Sequence, residues 1–177
     1  MRDMTLFPLD QHSAEALSAS PEAFADRWRF TLVPSWPAIV EIAVDTARFL
    51  AATQSSRPWG SYLALDGPER RLVGACGFKG NPDAGGAVEI AYFTFPGEEG
   101  RGVATAMASA LVELARVSEH PPSIVRAHTL PERNASVRVL EKNGFRRLGE
   151  VMDPEDGLVW RWERVPGPDP RVVVEHE

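Results

Sequence analysis

The chain of 177 residues has one cysteine, Cys76, so an internal disulfide is excluded. No run approaches the ~18 apolar residues of a membrane-spanning helix. No apolar core follows Met1-Arg2-Asp3-Met4, so a secretory leader is not expected. Together these absences imply a cytoplasmic chain with no membrane partner. Positive charge is also short: 19 Lys and Arg stand against 25 Asp and Glu, a net charge of -6. The basic residues gather only as pairs, Arg70-Arg71 and Arg146-Arg147. Neutralising a phosphate backbone takes clustered cations, so nucleic acid is excluded as the main partner. No second His, Cys or carboxylate stands at metal-ligand spacing from His128, and no metal is expected.

What is present reads as one soluble globular domain over residues 1–165, followed by an extended tail over 166–177. Hydrophobic residues make up 44% and charged residues 25%, ordinary for a chain with a proper core. Thr5 to Leu9 reads as an edge strand, since Pro8 is excluded from a central one. Ser20-Pro21 predicts a helix start running to about Trp28. Trp36, Ile39, Val40, Ala43, Ala47 and Leu50 fall at helical spacing. Tyr62–Leu65, Leu72–Phe78 and Val88–Phe95 read as an antiparallel meander, turned by Gly67-Pro68-Glu69 and the loop Lys79–Gly86. A helix with the stripe Val103, Met107, Ala110, Leu111 and Leu114 follows. Then come a strand over Ile124–Leu130, a helix near Asn134–Asn143 closed by Gly144, and a hairpin of Leu148–Met152 with Leu158–Glu163. The order describes an α+β layer, helices over a largely antiparallel sheet.

The stretch Glu99-Gly100-Arg101-Gly102-Val103-Ala104-Thr105 carries most of the functional information. It joins a strand to an amphipathic helix through glycines, leaving backbone N–H groups free at a positive helix end. Such a turn attracts a phosphate or pyrophosphate. It lacks the Gly-Lys-Ser/Thr ending of a Walker loop. It also lacks the third glycine or alanine of a dinucleotide fingerprint, having Thr105 there.

A third pattern fits. Pro96 to Ala106, with Gly100-Arg101-Gly102-Val103-Ala104 at its centre, resembles the acyl-CoA loop of the GNAT N-acyltransferase superfamily, Gln/Arg-x-x-Gly-x-Gly/Ala. Downstream, Asn134-Ala135-Ser136 followed by Asn143-Gly144-Phe145 resembles the later GNAT motif of the branch that includes the Rim-type protein acetyltransferases. The resemblance spans Leu72 to Phe145 and, more loosely, reaches Arg164. Glu99 departs from it, because the family usually places a cationic or amide side chain there.

The resemblance implies a mostly antiparallel central sheet flanked by helices. The parallel strands on either side of the main helix splay apart to admit the pantetheine arm of acetyl-CoA. It implies direct acetyl transfer to a small-molecule or peptide amine in a ternary complex, by a monomer or homodimer. The backbone of Gly100, Arg101, Gly102, Val103, Ala104 and Thr105 would hold the pyrophosphate, with Asn134 adding a contact. Phe93, Thr94 and Phe95 would pair their backbone with pantetheine, one N–H polarising the thioester carbonyl.

An amine must lose a proton before it attacks. Glu89 is the expected base, since a carboxylate among apolar strand neighbours binds protons more strongly; otherwise it pairs with Lys79 or Arg126. Ser136 is the expected proton donor to the departing thiolate, or else a local cap. Relatives that use a late tyrosine for this step offer no guide, because Tyr62 and Tyr92 both precede the glycine loop. Only Tyr92 could substitute. Cys76, mid-strand among apolar residues, reads as a buried structural thiol. Trp28, Trp36 and Trp59 lie where relatives shape the acceptor pocket. A non-catalytic acyl-CoA-binding module is the alternative, motivated by Glu99 and the missing late tyrosine. A nucleotide-binding turn is a weaker one.

Overall fold

The computed structural model describes residues 2–167; from residue 168 on, the expected tail lies outside the described residues. In chain order the elements are β1 (Met4–Leu9), α1 (Gln11–Ala19), α2 (Pro21–Trp28), β2 (Thr31–Leu32), α3 (Pro37–Thr53), β3 (Ser61–Asp66), β4 (Arg71–Phe78), β5 (Ala87–Thr94), α4 (Val103–Arg116), β6 (Ile124–Thr129), α5 (Ala135–Lys142), β7 (Arg146–Asp153) and β8 (Gly157–Arg164).

Local chemistry sets the helix boundaries. Ser20 Oγ accepts from Ala23 N–H at 3.3 Å ahead of Pro21, as the sequence predicts for α2. The preceding helix α1 is not foreseen, having only Ala14 and Leu17 as buried residues. Its signal is a capping box. Asp10 Oδ1 accepts from Ser13 N–H at 2.7 Å, and Ser13 Oγ accepts from Asp10 N–H at 2.8 Å. Asn134 caps α5 by accepting from Val137 N–H at 3.1 Å. Gly144, at φ 76°, takes the left-handed position after α5, and Phe145 N–H returns to Leu140 O at 3.0 Å.

The strands form one sheet in the order β1-β3-β4-β5-β6-β8-β7. Pairing is antiparallel except between β5 and β6, and between β4 and the short β2, which extends beside Arg71 and Leu72 where β5 does not reach. Proline in β1 is tolerated because β1 is an edge. The parallel pairing of β5 with β6 covers only Ala87↔Ile124, Val88↔Val125 and Glu89↔Arg126. Beyond it β5 stays with β4 as far as Thr94↔Gly74, while β6 stays with β8 as far as Thr129↔Trp160. The two strands therefore part immediately after Glu89 and Arg126.

Helix α4 lies against β4, β5, β1 and α5. Its buried set is Val103, Met107, Ala108, Leu111, Val112 and Ala115, broader than the expected stripe; Ala110 and Leu114 are only half-buried. Contact on two sides, sheet and α5, rotates the apolar arc past a single-stripe reading. Met107 crowds Gly74, where a Cβ would lie 3.1 Å from the Met107 sulfur and 2.6 Å from Phe93 O. Phe78, Phe95, Leu63, Leu72 and Leu140 are fully buried in the continuous core.

Gly144→Ala tests the closure of α5. A Cβ there would come no nearer than 3.7 Å to Arg164, so the cost is conformational rather than steric. The expected loss is about 1–2 kcal/mol in urea unfolding. An unchanged midpoint contradicts the left-handed assignment.

Candidate active site

Strand parity determines what the parting of β5 and β6 exposes. Lys79 N–H bonds Glu89 O at 2.8 Å, and Phe95 N–H bonds Val73 O at 2.9 Å. With this register the odd-numbered residues of β5 bond to β4. Past the last β6 rung, the N–H and C=O groups of Tyr92 and Thr94 therefore point into the gap left by β6. Of the three residues expected to offer backbone there, Thr94 does so. Phe93 and Phe95 are turned to β4 instead, and Tyr92 supplies the second exposed peptide group. The Phe93 side chain is 47% exposed, whereas Phe95 is fully buried.

A cleft of about 400 Å³ opens from this gap. Thr94, Gly100, Gly102, Thr105, Ser136 and Arg138 are among the residues that border it, together with Phe93, Val103 and Ala104. Gly100 and Gly102 have φ 73° and 79°, and a Cβ on either would project into open space. Gly102 caps α4 without a side-chain bond, and the first return bond of the helix is Ala106 N–H to Gly102 O at 3.0 Å. The N–H groups of Val103, Ala104 and Thr105 are thus left for an external acceptor. An anion seated there meets free donors and the positive end of the helix.

The loop is held from behind. Glu98 is 4% exposed; its carboxylate takes Arg71 at 2.9 Å and Arg101 at 3.4 Å. Arg2 pairs with Asp66 at 2.6 Å and donates to the carbonyl of Arg101. Arg101 thus braces the loop and does not border the cleft. Glu99 borders the cleft, as does Glu98, and its carboxylate accepts from Gly97 N–H at 2.6 Å. The cations that the sequence lacks at that position come from α5, where Arg138 and Lys142 line the cleft one turn apart. Asn143 ties the two helices, donating to Thr105 O at 3.2 Å and Val139 O at 2.9 Å. Asn134 serves as the cap, and the two residues after it, Ala135 and Ser136, face the cleft.

Glu89 occupies the last rung before the strands part. Of the two settings expected, apolar neighbours or pairing to a cation, the carboxylate has the paired one, with Lys79. Its Oε1 takes Lys79 Nζ at 3.2 Å and His128 Nδ1 at 2.9 Å. Oε2 has no protein partner among the described residues, and the side chain is 24% exposed. Arg161 donates through Nε to His128 Nε2 at 3.4 Å. Because arginine only donates, that nitrogen is the acceptor and the imidazole proton sits on Nδ1, toward Glu89. Arg126, the other partner foreseen for Glu89, is engaged with Glu163 at 2.8 Å and Asp83 at 3.7 Å.

Tyr92 stands between the cleft and an apolar pocket on the side of α3, and borders both. Burial pushes its phenol up to about 12, against a smaller downward pull from the neighbouring Ser136 hydroxyl. Burial alone pushes the Cys76 thiol up, so it is not a nucleophile at neutral pH.

The tyrosines give a pH test. Both Tyr92 and Tyr62 are raised, chiefly by burial. A raised folded value stabilises the fold fully below the unfolded value near 10 and loses that contribution as pH rises through about 12. The folded chain is expected to show little tyrosinate absorbance at pH 10, and its urea stability to fall from pH 10 to 12. Half-ionised tyrosines in the folded chain at pH 10 contradict the buried phenols.

The sequence matches the family described as an acetyltransferase (GNAT) domain over residues 3–146. No curated protein sequence matches the chain. A ribosomal-protein-S5-alanine acetyltransferase from Vibrio fischeri has a similar structure, with TM-score 0.61, 11% identity, and coverage of 95% of this chain and 98% of that one. A variant spermidine N-acetyltransferase from Vibrio cholerae gives TM-score 0.61 at 12% identity, covering 92% and 94%. An aminoglycoside acetyltransferase in complex with coenzyme A gives 0.59 at 18% identity, covering 92% and 95%. At these identities the structures establish a common fold. The family match spans most of the sequence and includes both the glycine loop and the start of α5. The chain therefore belongs to the GNAT acetyltransferase family and is an acyl-CoA-dependent N-acetyltransferase.

Proposed function

We propose that the chain transfers an acetyl group from acetyl-CoA to a primary amine by direct attack, with no covalent enzyme intermediate. The observation that carries this reading is the position of Glu89. It sits where β5 and β6 part, with one carboxylate oxygen free of protein partners among the described residues and a side chain partly open to solvent.

The residues present fit the cofactor. Free N–H groups from Val103 to Thr105, space over Gly100 and Gly102, and the cations Arg138 and Lys142 suit a pyrophosphate. The exposed peptide groups of Tyr92 and Thr94 suit an extended amide-bearing arm. When bound, acetyl-CoA supplies an acyl thioester whose carbonyl carbon is open to attack.

The work of the chain is then proton handling and charge stabilisation. Glu89 takes the proton that the ammonium loses, directly or through one water at Oε2. Lys79 and His128 hold Oε1 and fix the carboxylate in place. As the C–N bond forms, the Thr94 N–H donates to the carbonyl oxygen that gains charge. As the C–S bond breaks, the sulfur takes a proton from Tyr92 or Ser136. Tyr92 is suited to this because its phenol stays protonated at neutral pH. Ser136 lies beside it.

Glu89→Gln separates base from scaffold, because glutamine keeps the size and can still accept from His128. Its kcat is expected to fall about 10²–10⁴-fold, while acetyl-CoA affinity stays at the parent value. A kcat within threefold of the parent would remove Glu89 from the mechanism.

A further inference from the structure

On the side of α3, a pocket of about 310 Å³ adjoins the place where β5 and β6 part. Tyr92 and Phe93 border both it and the cofactor cleft. Lys79, which holds Glu89 at 3.2 Å, lies in its wall. An amine nitrogen placed at Glu89 would thus send its substituent into this pocket.

The walls specify that substituent. Leu9, Ile42, Phe49, Phe78 and Phe93 are among the lining residues, and most of the surface is apolar. Tyr62 adds its ring, and its hydroxyl has its proton committed to Pro58 O at 2.7 Å. The volume is at the lower end of small-molecule sites.

The charges are few. Among the described residues, Asp45 is the single carboxylate in the wall. It is 71% exposed and pairs with Arg48 at 3.4 Å, so its pull on a further cation is weak. Among the described residues, Lys79 is the single cation in the wall and is already engaged. Asp153 and Asp156 act on Lys79 through space without entering the pocket wall. Their field favours a positive charge beside Lys79 and Glu89. A second or third ammonium group would lose water against largely apolar walls, with only the exposed Asp45 carboxylate to meet it.

We propose that this pocket binds the body of the acceptor, and that the acceptor is a primary monoamine with a compact apolar body rather than a polyamine or a peptide N-terminus. The proposal rests on the placement of acetyl transfer at Glu89. A peptide would bring backbone amides that the apolar walls leave unpaired.

The test is calorimetric titration of the full chain with phenethylamine, spermidine and tetraalanine, each with and without saturating coenzyme A. Thr46→Trp is examined alongside, since Thr46 borders the pocket from α3 and is absent from the cofactor cleft. Phenethylamine is expected to bind at least tenfold more tightly than spermidine or tetraalanine. Thr46→Trp should weaken phenethylamine at least tenfold and leave coenzyme A affinity unchanged. Spermidine or tetraalanine binding as tightly as phenethylamine overturns the proposal, as does the absence of phenethylamine binding. The comparison on the parent chain stands even if the tryptophan variant does not fold. Failure of coenzyme A to bind would count against the cofactor reading instead. The amine series without coenzyme A still reads the pocket in that case.

Discussion

Three residue pairs between β5 and β6 govern the rest of the molecule. A longer pairing would close the sheet and leave no gap. A shorter one would leave β6, with α5 and the β7–β8 hairpin behind it, joined to the rest mainly through the contact of α5 with α4. The observed compromise keeps one continuous core while leaving the peptide groups of Tyr92 and Thr94 without a neighbouring strand. An unsatisfied strand edge is normally a liability. Here it lies inside a cleft bordered by α4 and α5, where an extended ligand rather than another protein can pair with it.

The same parting brings unlike chemistries together. On one side the start of α4 and two basic residues of α5 offer positive potential to an anion. At its apex a chain of polar contacts runs from Lys79 through Glu89 and His128 to Arg161. On the α3 side the walls are apolar. In the proposed function, phosphate binding, proton removal and acceptor binding would thus occupy three neighbouring environments. The loop between them is fixed by the buried carboxylate of Glu98, so free backbone donors are compatible with a rigid cradle.

Much of this was legible in the sequence because the signals are local. Ser20-Pro21 and Gly144-Phe145 each mark a helix end through contacts within four or five residues, and both are found as read. The meander, the glycine loop and its α4 start follow from turn chemistry and period-two or helical spacing. The GNAT resemblance, drawn from two motifs, is borne out by the family match. What escaped the sequence depends on distant pairing. Glu89 and His128 are 39 residues apart and meet only because β6 lies beside β5. Which backbone groups of Phe93, Thr94 and Phe95 face the gap depends on the β4 register, and no local pattern reveals it. The cations opposite Glu99 were missed because they lie about 40 residues away on α5, where they read as ordinary exposed helix residues. Helix α1 escaped for a different reason: its cap was present, but its two buried positions gave too little periodicity.

The central claim is that the glycine loop and the parted strands form one acyl-CoA site, and calorimetric titration of the chain with acetyl-CoA, ATP and NAD tests it most directly. The account predicts micromolar binding of acetyl-CoA with no response to ATP or NAD, because Tyr92 and Thr94 add contacts to the pantetheine arm that neither control possesses. Equal binding of all three would reduce the site to a phosphate turn. No acetyl-CoA binding by the folded chain would contradict the account outright.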